Sequence, residues 1–123
     1  MRATTDAYDG IPYEDLPIET IDWERRGEYI RTRSTRKGGQ ELDVEPEWAT
    51  EATRDPGALV GPGRSRSGET VRVVGFSSGA GRLLTVLLIG TDTPVSGEWE
   101  GVNAWAANDR DERDYARLNH GED

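Results

Sequence analysis

Apolar residues are concentrated in the second half of the chain, where they fall into strand-like runs. From Glu69 to Phe76, Val71, Val73 and Val74 flank an outward-pointing Arg72, which predicts a strand. Arg82 to Ile89 reads RLLTVLLI and is almost wholly apolar, the pattern of a central strand buried on both faces. The SSGAG between them is a turn, so the two strands form a hairpin. Glu100 to Ala106 gives a third strand, which runs at once into Asn108 and a charged helix over Asp109 to Leu118. Asn108 is a good N-cap, because its side-chain oxygen can take a free amide of the first turn. Asp111, three residues on, occupies the position of a capping-box acid. Tyr115 and Leu118 are spaced to share the inner face of this helix.

The first half is more polar. Asp43 to Asp55 predicts a short helix, with Pro46 at the first helical position and Pro56-Gly57 as its stop. Val44 and Trp48 are placed to close over its start as a hydrophobic staple. Leu59 and Val60 return apolar surface to the core, and residues 61–68 read as a loop. Between Thr20 and Ile30 two readings are open: Ile21-Asp22-Trp23 as the end of a strand, or Trp23, Tyr29 and Ile30 as one helix face. Residues 31–41 read as a basic helix end and loop. Residues 1–19, with Gly10, Pro12, Pro17 and scattered acids, predict an extended or disordered acidic arm. Its Tyr8, Ile11, Tyr13, Leu16 and Ile18 are available to dock it. The expected organisation is that arm, a single domain over 20–118 and a tail over 119–123. The expected fold class is α+β: a small, mostly antiparallel sheet with N-terminal helices and a C-terminal helix.

Composition narrows the chemistry. The chain has no cysteine, which excludes disulfides, thiolate metal sites and cysteine nucleophiles. Its single histidine, His120, is the fourth residue counted from the end, so a Ser-His-Asp triad would have to use the tail. No metal and no other cofactor is expected. No apolar run is long enough to cross a bilayer, and MRATTDAYDG lacks a signal-peptide core; the expectations are a cytoplasmic location and no membrane partner.

The net charge of −9 argues against broad nucleic-acid binding, yet the sign alternates along the chain. Residues 25–40 carry +5 between segments of −6 and −5. Arg25, Arg26, Arg31, Arg33, Arg36 and Lys37 supply that charge, with Tyr29 interleaved, a composition compatible with stacking plus phosphate contact. This is the best local candidate for binding RNA or a partner; the competing reading is a solvated face balanced by nearby acids. Arg64, Arg66, Arg72 and Arg82 form a second, weaker basic group.

The order of these pieces resembles the BrnT-like toxins of the RelE-like ribonuclease superfamily. The similarity is carried by DVEPEWATEATRDP (43–56), Ala58-Leu59-Val60, VRVVGFS (71–77), GRLLTVLL (81–88) and AWAANDRDERDY (104–115), and spans roughly residues 43–117. It implies a RelE-like fold and a cytosolic toxin of a type II toxin–antitoxin pair. It also implies a small ribbon-helix-helix antitoxin as partner and metal-independent RNA cleavage by positioned Arg, Lys, Glu or Tyr. Carried onto this sequence, Arg72, Arg82, Arg110, Arg113 and Tyr115 are the catalytic candidates, and Arg64 and Arg66 join the 25–37 group as RNA-binding candidates. Each has a plainer reading. Arg72 and Arg82 fit outward strand residues paired with Glu69 or other acids. Arg110 and Arg113 fit helix-surface pairs with Asp109 or Asp114. Tyr115 fits a core anchor. Phe76 and Trp105 fit either an aromatic platform or core packing, and Ser77-Ser78-Gly79 either an anion-binding turn or a simple hairpin turn.

The chain also departs from the family pattern. Phe76 follows Gly75 where the family has Arg, Trp105 and Ala106 stand where it has Arg and Lys, and the last helix carries Asp109, Asp111, Glu112 and Asp114. Apolar or acidic side chains cannot stabilise a pentavalent phosphate. Two expectations follow: cleavage through the remaining cations, or a catalytically degenerate toxin-fold protein that acts as a protein-binding module.

Overall fold

The apolar run at 82–90 takes the middle place in the sheet. A computed structural model of the protein describes residues 8, 10–36, 38–39, 41–63, 69–91 and 96–120. Strands β1 (Thr20–Asp22), β2 (Leu59–Pro62), β3 (Thr70–Ser77), β4 (Arg82–Gly90) and β5 (Glu98–Ala106) form one five-stranded sheet in the order β1-β5-β4-β3-β2. Three neighbouring pairs are antiparallel; β1 runs parallel to β5 at the edge. Helices α1 (Gly27–Arg31), α2 (Arg33–Arg36), α3 (Pro46–Thr53) and α4 (Asp109–His120) complete an α+β fold. Both readings of residues 20–30 hold in part, since a short strand and then a short helix occupy that stretch.

The central strand is buried on both sides, as its composition predicts: Leu84, Thr85 and Val86 are all fully buried. On the first face, Val71 and Val73 of β3 stand opposite Leu88 and Val86 of β4, and with Leu84, Trp99 and Ala104 they form the main core. Helix α3 closes that face. Gly75 lets it approach, because a Cβ there would lie 1.9 Å from the backbone oxygen of Ala52. Gly101 does the same for Trp23, whose ring would be 2.4 Å from a Cβ. Pro46 takes the first position of α3, and Val44 and Ala49 are both fully buried at staple spacing. Trp48, the expected staple partner, is only half-buried.

One open reading is resolved and two expectations are corrected. The stretch expected as an extended or disordered arm contributes Tyr8, Tyr13 and Leu16 to the core. Tyr8 packs edge-on against Trp99, with ring centroids 5.1 Å apart. Its hydroxyl donates to the Glu69 carbonyl and accepts from the Gly90 amide at 2.9 Å, while Trp99 Nε1 donates to the Pro17 carbonyl at 2.8 Å. The end of the sheet offers polar groups to receive these side chains. Second, Leu59–Pro62 is a strand; its brevity and Pro62, tolerated on an edge because no ladder bond is needed there, hide it in the sequence. Third, Leu118 is 57% exposed, because it hangs clear of the sheet while polar residues take the inner face of α4.

Candidate functional site

The second face of the sheet carries Arg72 and Val74 from β3 and Thr85 from β4, and α4 lies over it. Asn108 caps α4 as its sequence predicts, with Oδ1 accepting the Asp111 amide at 2.8 Å. The Asp111 side chain does not complete a capping box. It turns to the sheet, where Oδ1 takes Arg72 Nη1 at 2.5 Å and Oδ2 takes the Thr85 hydroxyl at 2.8 Å. Asp111 is 7% exposed and Arg72 23% at the side chain, so this is a largely desolvated pair. Arg72 is therefore an outward strand residue paired with an acid, and the acid is Asp111 rather than Glu69.

Four residues further along α4, the Tyr115 hydroxyl donates to Asp55 Oδ2 at 2.5 Å. Another four on, Asn119 Nδ2 donates to the Gly57 carbonyl at 2.8 Å. Asp111, Tyr115 and Asn119 make one stripe, so the helix is fastened by polar bonds rather than by an apolar ridge. Asp55 is the hub beneath it: Oδ1 accepts the Gly57 amide at 2.9 Å, and Oδ2 also accepts the Phe76 amide at 2.8 Å. Partial burial pushes the Asp55 carboxyl upward, but the bonds from Tyr115, Phe76 and Gly57 outweigh it and hold the group below its ordinary value. The same bond to Asp55, together with burial and the nearby negative charge, pushes the Tyr115 phenol up to about 12. A phenol so held is a poor proton donor to substrate near neutral pH.

The remaining catalytic candidates are spread apart. Arg82 is exposed where the hairpin re-enters β4, and Arg110 and Arg113 are exposed on α4. Arg72 and Arg110 do meet at one cleft of about 330 Å³, lined also by Pro62, Asn108 and Asp111. The Ser77–Gly79 turn is an anion-binding turn of an internal kind. Glu51 Oε1 accepts the Ser77 hydroxyl at 2.8 Å and the Gly79 amide at 2.9 Å, and those bonds lower the Glu51 carboxyl. Phe76 is 46% exposed beside a second cleft formed with Glu51, Arg54, Asp55, Pro56 and Ser78.

Three cations of the basic segment are neutralised from within. Arg25 reaches Glu100 at 3.4 Å, Arg31 reaches Glu45 at 3.0 Å, and Arg33 reaches Glu41 at 3.0 Å. Arg33 also lies 5.4 Å above the Trp105 ring. Arg26 and Arg36 instead stack on Tyr29. Lys37, Arg64 and Arg66 lie outside the described residues. Among the described residues, no cluster of three or more His, Asp or Glu side chains could hold a metal ion, and no helix is long and apolar enough to cross a membrane.

Asp55 and Glu51 are the working carboxylates that sequence reasoning missed. Asp55 had one local signal, the Asp-Pro-Gly turn that its own side chain closes. Glu51 had none, because its partners lie 26 and 28 residues away. No protein-family model and no curated protein matches the chain.

Proposed function

We propose that this protein is a catalytically degenerate member of the BrnT-like toxins, with a RelE-like fold, that acts as a protein-binding module. One observation carries the reading. The two least exposed catalytic candidates, Arg72 and Tyr115, are each bonded to a carboxylate of the same chain, and these bonds fasten α4 to the sheet and to the turn after α3. Groups so engaged act first as structural ties. The partner this resemblance implies is a small ribbon-helix-helix protein encoded beside it.

A second reading, metal-independent RNA cleavage, has a single observation in its favour: Arg72 and Arg110 line one cleft with Asn108, which would place two cations near a phosphate. One experiment separates the two. The chain is expressed alone and with the product of the adjacent reading frame, and growth, RNA integrity and co-purification are measured. Intact RNA with normal growth, and a stoichiometric complex on co-expression, are expected. RNA degradation that disappears in Arg110→Ala would overturn the binding-module reading in favour of the nuclease.

A further inference from the structure

Two arginines differ from the other cations of the basic segment. Arg25, Arg31 and Arg33 are each within ion-pair distance of a carboxylate. Arg26 and Arg36 pair with no carboxylate among the described residues. Their guanidinium carbons lie 3.9 Å and 3.6 Å from the centroid of one ring, that of Tyr29. Each is also tethered to backbone or hydroxyl oxygen. Arg26 Nε donates to the Val102 carbonyl at 3.0 Å, at the register shift of β5, and Arg36 Nη1 donates to Thr32 Oγ1 at 3.1 Å. A guanidinium has five N–H donors, so most of the donors on both remain open.

The arrangement is pre-organised and electrostatically incomplete. The ring and the tethers hold two positive charges no more than the sum of the two ring distances apart, without the counter-ion their neighbours have. Two like charges that close repel, and an oxyanion taken by the open donors of either one relieves the repulsion and gains charge-assisted hydrogen bonds. The surroundings select the carrier of that oxyanion. Glu24, Glu28 and Glu41 are exposed on the same stretch, Glu28 and Glu41 beside Arg31 and Arg33. A polyphosphate chain would set further negative charges against these acids, whereas a peptide can present one or two carboxylates and otherwise neutral surface.

We propose that Arg26 and Arg36, held on the Tyr29 ring, form a docking point for an acidic peptide segment of a protein partner, whose carboxylates are taken by the open donors of the two guanidiniums. This rests on the binding-module reading and supplies the partner chemistry at one point of it. The test uses the full chain, with the arginine Nε–Hε signals followed by NMR during titration with a capped short peptide that carries two glutamates and otherwise neutral residues. Saturable shifts confined to Arg26 and Arg36, with a matching perturbation of the Tyr29 ring, are expected. Arg36→Gln, at an exposed position that leaves the fold intact, should weaken binding roughly fivefold to tenfold, and R26Q/R36Q should abolish it. The proposal is overturned by absent shifts, by binding that survives in R26Q/R36Q, or by a single-stranded oligoribonucleotide that binds the same two arginines more tightly than the peptide. RNA cleavage in the expression experiment together with peptide binding here would sink the module reading and leave the docking point standing. Intact RNA without peptide binding would sink the docking point alone.

Discussion

Replacing Asp111 by alanine should destabilise the protein far more than a helix-surface change. Two local effects nearly cancel: loss of an acid from the first turn weakens the helix by a few tenths of a kcal/mol, and alanine's higher propensity returns a similar amount. The N-cap bond is untouched, because it uses the Asp111 amide. What remains is the far side of the carboxylate. Arg72, with 23% of its side chain exposed, loses its counter-ion, and the fully buried Thr85 hydroxyl loses its acceptor. Breaking a fully buried ion pair costs about 3–5 kcal/mol, and a stranded buried hydroxyl costs about 1–3 kcal/mol. Arg72 retains some access to water through the adjoining cleft, so the expected total is about 2–4 kcal/mol. In urea, with fluorescence of the four tryptophans as the probe, that loss lowers the midpoint by roughly 1–2 M at an unchanged slope. Arg72→Met/Asp111→Leu should lie within about 1 kcal/mol of the natural protein, since replacing both charges removes the desolvation along with the attraction. An Asp111→Ala variant within about 0.5 kcal/mol of the natural protein would refute the claim that this pair fastens α4.

Further outcomes follow from the same geometry. Tyr115→Phe should cost about 1–2 kcal/mol, a charge-assisted bond discounted for partial exposure, and should increase hydrogen exchange in the last turns of α4 first. The Tyr115 contribution is present below pH 10.0, the ordinary phenol value, and is lost as pH climbs towards about 12, so ultraviolet titration should find Tyr115 ionising late, together with Tyr8, whose phenol burial also raises; four tyrosines titrating together near 10.0 would contradict it. The Asp55 carboxyl is held low, so its contribution is present above its ordinary value of 3.8 and is lost as pH falls through the lowered one, a loss that Asp55→Asn should remove from an acid-unfolding curve. Gly75→Ala should cost about 3 kcal/mol or more, or prevent folding, because its Cβ meets the main chain of α3 rather than a flexible side chain. Removing residues 1–17 should lower the melting temperature sharply by uncovering Trp99, whereas an unchanged melting curve would restore the free-arm expectation.

Local chemistry made much of this fold legible. The cap at Asn108, the proline start of α3, the turn at 77–81 and the apolar run of β4 all depend on residues a few positions apart, and each stands where the sequence puts it. The short β2 and the exposed Leu118 were not legible, because each depends on what the rest of the chain places opposite it. Charge separates the two cases most clearly. The sequence by itself determined that an acidic chain carries a basic segment and scattered arginines on an α+β frame. Only the tertiary structure decided which cations are engaged. Arg72 finds Asp111 across 39 residues and Tyr115 finds Asp55 across 60, while Arg26 and Arg36 find an aromatic ring in place of a carboxylate. The reason is physical: whether a charge is available depends on its partner's distance and burial, and strand register and helix docking set both.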